Sequence, residues 1–416
     1  MNFTTQHLAA CRRQFPALSR EVGGRPAVYL DGPAGTQVPQ RVIDAISHYL
    51  ATMNANHDGL FLTSRESDRM LNEAHQAAAD FVGASDRDEV SFGPNMTTLT
   101  FALSRALAKT WQPGDEVLVT RLDHDANFSP WKMAARDAGA TLKVAELRTE
   151  DCTLDLADLR SKLSPKTKLV AVGCASNSVG TVNPVKQICQ WAHEVGALVF
   201  LDAVHYAPHG LIEVADWDCD FLACSAYKFF GPHIGIMWGR RRLLESIDAY
   251  KVRPAPTSIP GKWMTGTQSH EGIAGVLAAI DYLADLGRTV SGSAGLGRRQ
   301  ALSAAYQAIG PYEKNLLRYL LDGLAKRPEV KVWGITDPGR LQERVATISI
   351  THARRTPAEL AKALDDRGIF VWNGNYYALN LSEALGREPQ GMVRIGLVHY
   401  NTQEEVDRLL LALDEV

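Results

Sequence analysis

The hydrophobic positions of the chain fall into two alternating textures. In "PQRVIDAISHYL", Val42, Ala45, Ile46, Tyr49 and Leu50 recur at the i, i+3, i+4, i+7, i+8 spacing of one helix face. "TSRE" at 63–66 has the form of a capping box and predicts a helix from there to about Phe81. Between such segments lie short, almost wholly apolar runs: "EVLVT" (116–120), "KLVAVGCAS" (168–176), "ALVFLDA" (197–203), "FLACS" (221–225) and "IGIMWG" (234–239). Helix-length stretches such as "NPVKQICQWAHEVG" separate most of them. Apolar runs bounded by helices are the signature of buried parallel strands, so an α/β domain with a mostly parallel sheet is expected. After "AIDYLADLG" (279–287) the pattern changes. A long helical stretch, about 296–326, leads to "EVKVWGI", "RVATISI", a helix in "TPAELAKALDDRG" and a last helix in "TQEEVDRLLLALDEV". This predicts a large domain over residues 36–287. Residues 1–35 and 288–416 are expected to form a smaller α+β domain. No internal repeat or low-complexity linker interrupts the chain.

Ligands of open α/β sheets sit at the carboxyl ends of the strands. There the runs deliver His124 after "EVLVTRLD", Asn177 after "KLVAVGCAS", Asp202 at the end of "ALVFLDA", and Ser225 and Lys228 after "FLACS". A lysine is among the residues least often buried, and a buried carboxylate stays ionised only beside a cation or several donors. Pyridoxal 5'-phosphate accounts for the set: its aldehyde needs a lysine, its ring nitrogen a carboxylate, and its phosphate a helix N-terminus. "FGPNMTTLTFAL" (92–103) supplies that terminus, as a strand end and a Gly-Pro turn before Met96-Thr97-Thr98 open an apolar-periodic helix. Ser225 and Tyr227 flank Lys228 within reach of the same phosphate.

Composition narrows the alternatives. At 416 residues, 45% hydrophobic and 22% charged, the chain reads as an ordinary soluble globular protein. A formal net charge of -3 provides no basic face for nucleic acid or for a membrane surface. The six cysteines show no CxxC pair, so neither a metal site nor a disulfide framework is expected. The N-terminus lacks a signal-peptide core and no run approaches membrane-span length, so a cytoplasmic location is expected. No GxGxxG follows a strand, which argues against a dehydrogenase. No DNA-binding module precedes the domain, which argues against a pyridoxal-sensing regulator.

Eight segments together carry a resemblance to a known family: "YLDGPAGTQVP", "FGPNMTTLTFAL", "LDHDANFSPW", "SNSVGTVNPV", "VFLDAVHYAPHG", "CSAYKFFGPHIGIMWG", "GTQSHEGIAG" and "VRIGLVHYNTQEEVDRLL". In this order and spacing the chain resembles the class V aminotransferase-fold enzymes of the cysteine desulfurase group, over essentially its full length. The resemblance implies the pyridoxal-phosphate transferase fold of type I, with a seven-stranded sheet in the large domain. It implies that Lys228 holds pyridoxal 5'-phosphate, Asp202 pairs with the ring nitrogen, and His124 stacks on the ring. Asn177 and His205 would lie near the phenolic oxygen, although relatives usually carry glutamine at the latter. Met96, Thr97, Ser225 and Tyr227 would bind phosphate, joined by Gly266 and Thr267 from the other subunit of a homodimer. Arg394 would clamp the substrate carboxylate, a planar two-pronged task. His57 stands either as a substrate-side ligand or as a turn residue.

The chain departs from the family pattern in two places. Where cysteine desulfurases carry an Arg-Thr-Gly-His-His-Cys type loop with the nucleophile, this chain reads "VWNGNYYALN" (371–380), with Trp372 for the arginine and Tyr377 for the cysteine. No cysteine follows Cys224, and the glutamate usual before the "GT" pair is absent from "WMTGT". A tyrosine oxygen cannot carry a persulfide, so sulfur donation to a scaffold protein is not expected, and Asn375 and Tyr377 would shape the substrate pocket instead. The expected activity is that of a lyase releasing a substituent from Cβ of a small L-amino acid, with cysteine derivatives and β-carboxylated amino acids as candidates. Aminotransferase or epimerase chemistry at Cα is the alternative on the same scaffold.

Overall fold

The computed structural model describes residues 3–416. Its centre is a seven-stranded sheet in the order Val90–Gly93, Gly235–Gly239, Phe221–Ser225, Leu198–Asp202, Thr167–Gly173, Glu116–Thr120, Thr141–Ala145. From Phe221–Ser225 onward every pairing is parallel. Gly235–Gly239 runs antiparallel to both its neighbours. "IGIMWG" is as apolar as the parallel strands because it too is covered on both faces, so pattern alone could not show its direction. What sets it is the connection: only the short turn through Lys228 and Pro232 separates it from Phe221–Ser225, too little chain for a parallel crossover.

Two further expectations are corrected locally. The helix predicted from "TSRE" spans Leu62–Val82 with Phe61 at its N-cap and no side-chain cap. Ser64 already lies in its first turn, accepting the Gly59 N–H at 2.6 Å and donating to the Asn56 carbonyl at 2.7 Å. Those hydrogen bonds fix the preceding loop instead of capping the helix. In the helix Gln40–Thr52, Val42 and Tyr49 are buried against the helix His270–Ser291, but Leu50 is half exposed. Tyr49 takes the inward position because its hydroxyl meets Ser67, His270 and the Ala55 carbonyl at 2.9–3.1 Å.

A second sheet, wholly antiparallel, has the order Val330–Trp333, Thr347–His352, Met392–Gly396, Trp372–Gly374. The N-terminal segment serves both bodies. Cys11 and Phe15 belong to the large core, whereas Val28 and Leu30 pack with Leu317, Ile348 and Ile395 of the second. The expected domain boundary, residue 287, falls inside the helix His270–Ser291, so no linker marks it. Among the described residues, no helix is long and apolar enough to cross a membrane.

Candidate active site

Strand ends of the large sheet converge on one cleft. It is lined by Met96, Thr97, His124, Asn177, Asp202, His205, Ser225, Tyr227 and Lys228, with Asp123 beside them. The Lys228 side chain is held by the loop Asp31–Thr36, donating to the carbonyls of Pro33 and Ala34. That loop reaches the lysine because Gly396 lies beneath it: a Cβ there would meet the Pro33 ring at 2.1 Å. Burial, reinforced by the Arg394 cation and opposed by Asp202, pushes the Lys228 ammonium down to about 7. Burial likewise raises the Asp202 carboxyl to about 6, against the pull of the Val204 N–H and of Lys228. One Asp202 oxygen accepts that N–H at 2.8 Å.

His124 owes its place to a side-chain ladder. Thr120 donates to Asp123 at 2.6 Å, Asn127 donates to the same carboxylate at 3.1 Å, and Trp131 Nε1 donates to Asn127 at 3.0 Å. This explains the spacing in "LDHDANFSPW" and fixes the turn that aims the imidazole. His124 Nδ1 accepts the Ala126 N–H at 3.0 Å, and burial with two nearby cations holds the ring neutral, its pKa lowered to about 3. The helix Met96–Ala108 begins opposite, with Asn95 as its cap and the Met96 N–H donated to Ser225 Oγ at 3.0 Å. Gly235 permits that turn, since its Cβ would stand 2.5 Å from the Asn95 backbone.

Arg394 enters from the second sheet, paired in register with Ser349 and Trp372. Its guanidinium donates to the Asn177 carbonyl at 2.8 Å and lies 4.3 Å from the centre of the Tyr376 ring. Tyr376 is a site residue that sequence reasoning missed. Its carbonyl accepts the Asn177 amide at 2.9 Å, and both Tyr376 and Tyr377 have positive φ (56° and 60°). Nothing in "NYYA" signals such a turn, because tyrosine rarely adopts it. Asp123, buried in the cleft wall, and Asp31, partly buried near Arg394, were also missed; desolvation is the chief cause that raises their carboxyl pKa values, to about 7 and about 6 respectively.

Not every expected residue joins the cleft. Tyr377 stands at its rim, ring centre 5.4 Å from that of His124. Asn375 lines neither part of the cleft: its amide donates to Glu388 at 3.1 Å and its oxygen accepts the Tyr377 N–H, so it closes the turn. His57, Gly266 and Thr267 line a separate groove together with His270, and His57 pairs with Asp58 at 2.7 Å.

The donor set suits pyridoxal 5'-phosphate. Asn177 Oδ1 and His205 Nδ1 are buried without hydrogen-bond partners, and His205 Nε2 is engaged by Thr347 at 3.0 Å. Orphaned polar atoms of this kind are expensive unless a ligand meets them. A buried amine, a buried carboxylate one strand away and a helix N-terminus complete the complement of this cofactor. Fold and site together define a fold type I pyridoxal-phosphate enzyme of the lyase type.

The family model for aminotransferase class V matches residues 28–409, and the chain belongs to that family. It is similar to a cysteine desulfurase of Serratia proteamaculans, with 33% identity over 97% of each chain. A probable cysteine desulfurase of Vibrio cholerae is 33% identical over 98% of each chain. Among solved structures, a cysteine desulfurase of Thermococcus onnurineus superposes with a TM-score of 0.86 at 26% identity, covering 98% of this chain and 97% of the other. The cysteine desulfurase CsdA of Escherichia coli gives 0.83 at 26% identity, over 98% of both chains.

Proposed function

We propose that this enzyme releases a substituent from Cβ of an L-amino acid without a cysteine persulfide. The observation that carries this is the segment 371–380, where Tyr377 and not a thiol stands at the cleft rim, stacked on His124. All six cysteines are buried and none lines the cleft. Burial raises every one of their thiol pKa values, the opposite of what a nucleophilic cysteine needs.

In this reading Lys228 binds the cofactor, Asp202 faces its ring nitrogen, and Asn177 and His205 turn their free atoms to its phenolic oxygen. Met96, Thr97, Ser225 and Tyr227 hold the phosphate. Pyridoxal phosphate, once bound, supplies an aldehyde that captures the substrate amino group and a ring that accepts electrons. Arg394 binds the substrate carboxylate with two parallel N–H bonds. Its stack on Tyr376 fixes the plane of the guanidinium and therefore the orientation of Cα. Lys228, uncharged in about half of the molecules at pH 7, takes the Cα proton and delivers it to the departing substituent. His124, neutral throughout, covers the cofactor ring without competing for that proton. A homodimer with shared sites belongs to the same reading. Gly266 and Thr267 lie away from their own Lys228, and Leu60, Phe61 and Leu62 are exposed in the chain following His57.

The test is mass spectrometry of enzyme quenched during turnover with L-cysteine. No sulfur adduct on any of the six cysteines is expected. An adduct formed at the turnover rate would restore sulfur transfer and overturn the proposal.

A further inference from the structure

Beyond Lys228 and Arg394 the cleft does not close around a small side chain. The space that these two residues line, together with its outward continuation, measures about 640 Å³, within the range of roughly 300–1,000 Å³ typical of pockets for ligands much larger than cysteine. Its outer wall is made by Phe101, Pro130, Met133, Trp372 and Tyr377. Three of these are large and exposed, Met133 at 44%, Trp372 at 51% and Tyr377 at 72%. They come from separate parts of the chain: the helix Ser129–Ala138, the strand Trp372–Gly374 and the turn after it. Apolar surface gathered in this way around a cleft marks an interaction site.

The charges of the same space are equally selective. Among the described residues lining it, the cations are Lys228 and Arg394, both committed in the proposed function. His124 is neutral, and besides the hydroxyls of Tyr227, Tyr376 and Tyr377 the remaining ionisable group on that wall is the carboxylate of Asp125. A substrate with a second carboxylate would find no partner and one like charge, at a cost that rises as water is excluded. A thioether carrying an apolar group would find aromatic faces and a methionine.

We infer that the physiological substrate, on the proposed reading of the site, is an L-amino acid bearing a bulky uncharged substituent on Cβ, of the S-substituted cysteine type, and not a β-carboxylated one. Elimination from it balances without oxidant or reductant: R–S–CH₂–CH(NH₃⁺)–COO⁻ and water give R–SH, pyruvate and ammonium. The Cβ–S bond breaks with its electron pair on sulfur. The Cα proton passes through Lys228 to the thiolate, and water replaces the amino group.

Holoenzyme titrated with S-benzyl-L-cysteine, S-methyl-L-cysteine and L-aspartate, followed by visible absorbance, tests this. Burying one aromatic ring is worth roughly tenfold or more in affinity, so the benzyl derivative should bind at least about tenfold tighter than the methyl one. Aspartate should bind weakest. Trp372→Ala, at an exposed position, and Phe101→Ala should each lower the benzyl-to-methyl ratio at least about threefold. Equal affinity for the two thioethers, aspartate binding as tightly as S-methyl-L-cysteine, or an unchanged ratio in both variants would overturn the substrate assignment while leaving the amino-acid lyase standing. A holoenzyme that responds to none of the three would overturn the lyase reading itself.

Discussion

Lys228 should react as a neutral amine near pH 7, and two neighbours should move that behaviour in opposite directions. An ordinary lysine near 10.4 is uncharged in roughly one chain in a few thousand at pH 7. With its pKa lowered to about 7, Lys228 is uncharged in about half. The difference corresponds to on the order of 5 kcal/mol, mostly the lost hydration of a buried ammonium. Capture of pyridoxal 5'-phosphate by apo-enzyme should therefore be on the order of a thousandfold faster than by an exposed lysine at that pH. The assay is the rate of the visible absorbance change on mixing apo-enzyme with cofactor across pH 5.5–9.5 (about a unit and a half or more either side of the pKa), normalised to the reaction of the cofactor with a free amine. The rate should climb about tenfold per pH unit below about 7 and level off above it. Arg394→Gln removes the cation that helps depress the lysine, so its midpoint should move up. Asp202→Asn removes the anion that supports the charge, so its midpoint should move down. A rate still climbing through pH 9, or both variants shifting the same way, would refute the electrostatic account of the site.

Two substitutions probe the frame that holds these groups. Gly235→Ala places a methyl 2.5 Å from the Asn95 backbone, where no flexible side chain can yield. It should weaken cofactor binding at least about tenfold and cost roughly 1–3 kcal/mol of stability; equilibrium dialysis giving a Kd within twofold of wild type would contradict the role given to that turn. Arg344 is buried where the segment after Asn177 meets the second sheet, and it donates to the carbonyls of Val179, Ile335 and Thr347. Arg344→Met should strip those carbonyls of their donor and cost on the order of 3 kcal/mol or more, read as a lower urea midpoint; a midpoint unchanged at equal slope would show that the junction repacks.

The hydrophobic pattern located four of the five parallel strands, their ends to within three residues, and with them His124, Asn177, Asp202 and Lys228; it missed Thr141–Ala145, a partly exposed edge strand that forms no apolar run. Strand ends and burial are local properties of a sequence: a run apolar on both faces must be covered on both, and its last polar residue must face the only polar place left. The same logic failed where local chemistry had two uses. The "TSRE" segment has a capping box's composition, but Ser64 is spent on the loop at Asn56 and Gly59, and the helix starts without it. Direction was invisible in "IGIMWG", because an apolar strand carries no sign of which way it runs.

By itself the sequence determined that this is an α/β enzyme built to hold pyridoxal 5'-phosphate, and that the loop at 371–380 has no thiol to offer. Each follows from residue type and order along one chain. Only the tertiary structure decided what surrounds the reacting atoms. The carbonyls of Pro33 and Ala34 reach Lys228 from almost two hundred residues away, and the left-handed turn at Tyr376 and Tyr377 sets one ring under Arg394 and the other against His124. Trp372, Phe101 and Met133 come together as one wall although they lie on three elements distant in sequence. Such contacts depend on how the second sheet docks on the first, a matter of packing between surfaces that no short stretch of sequence encodes.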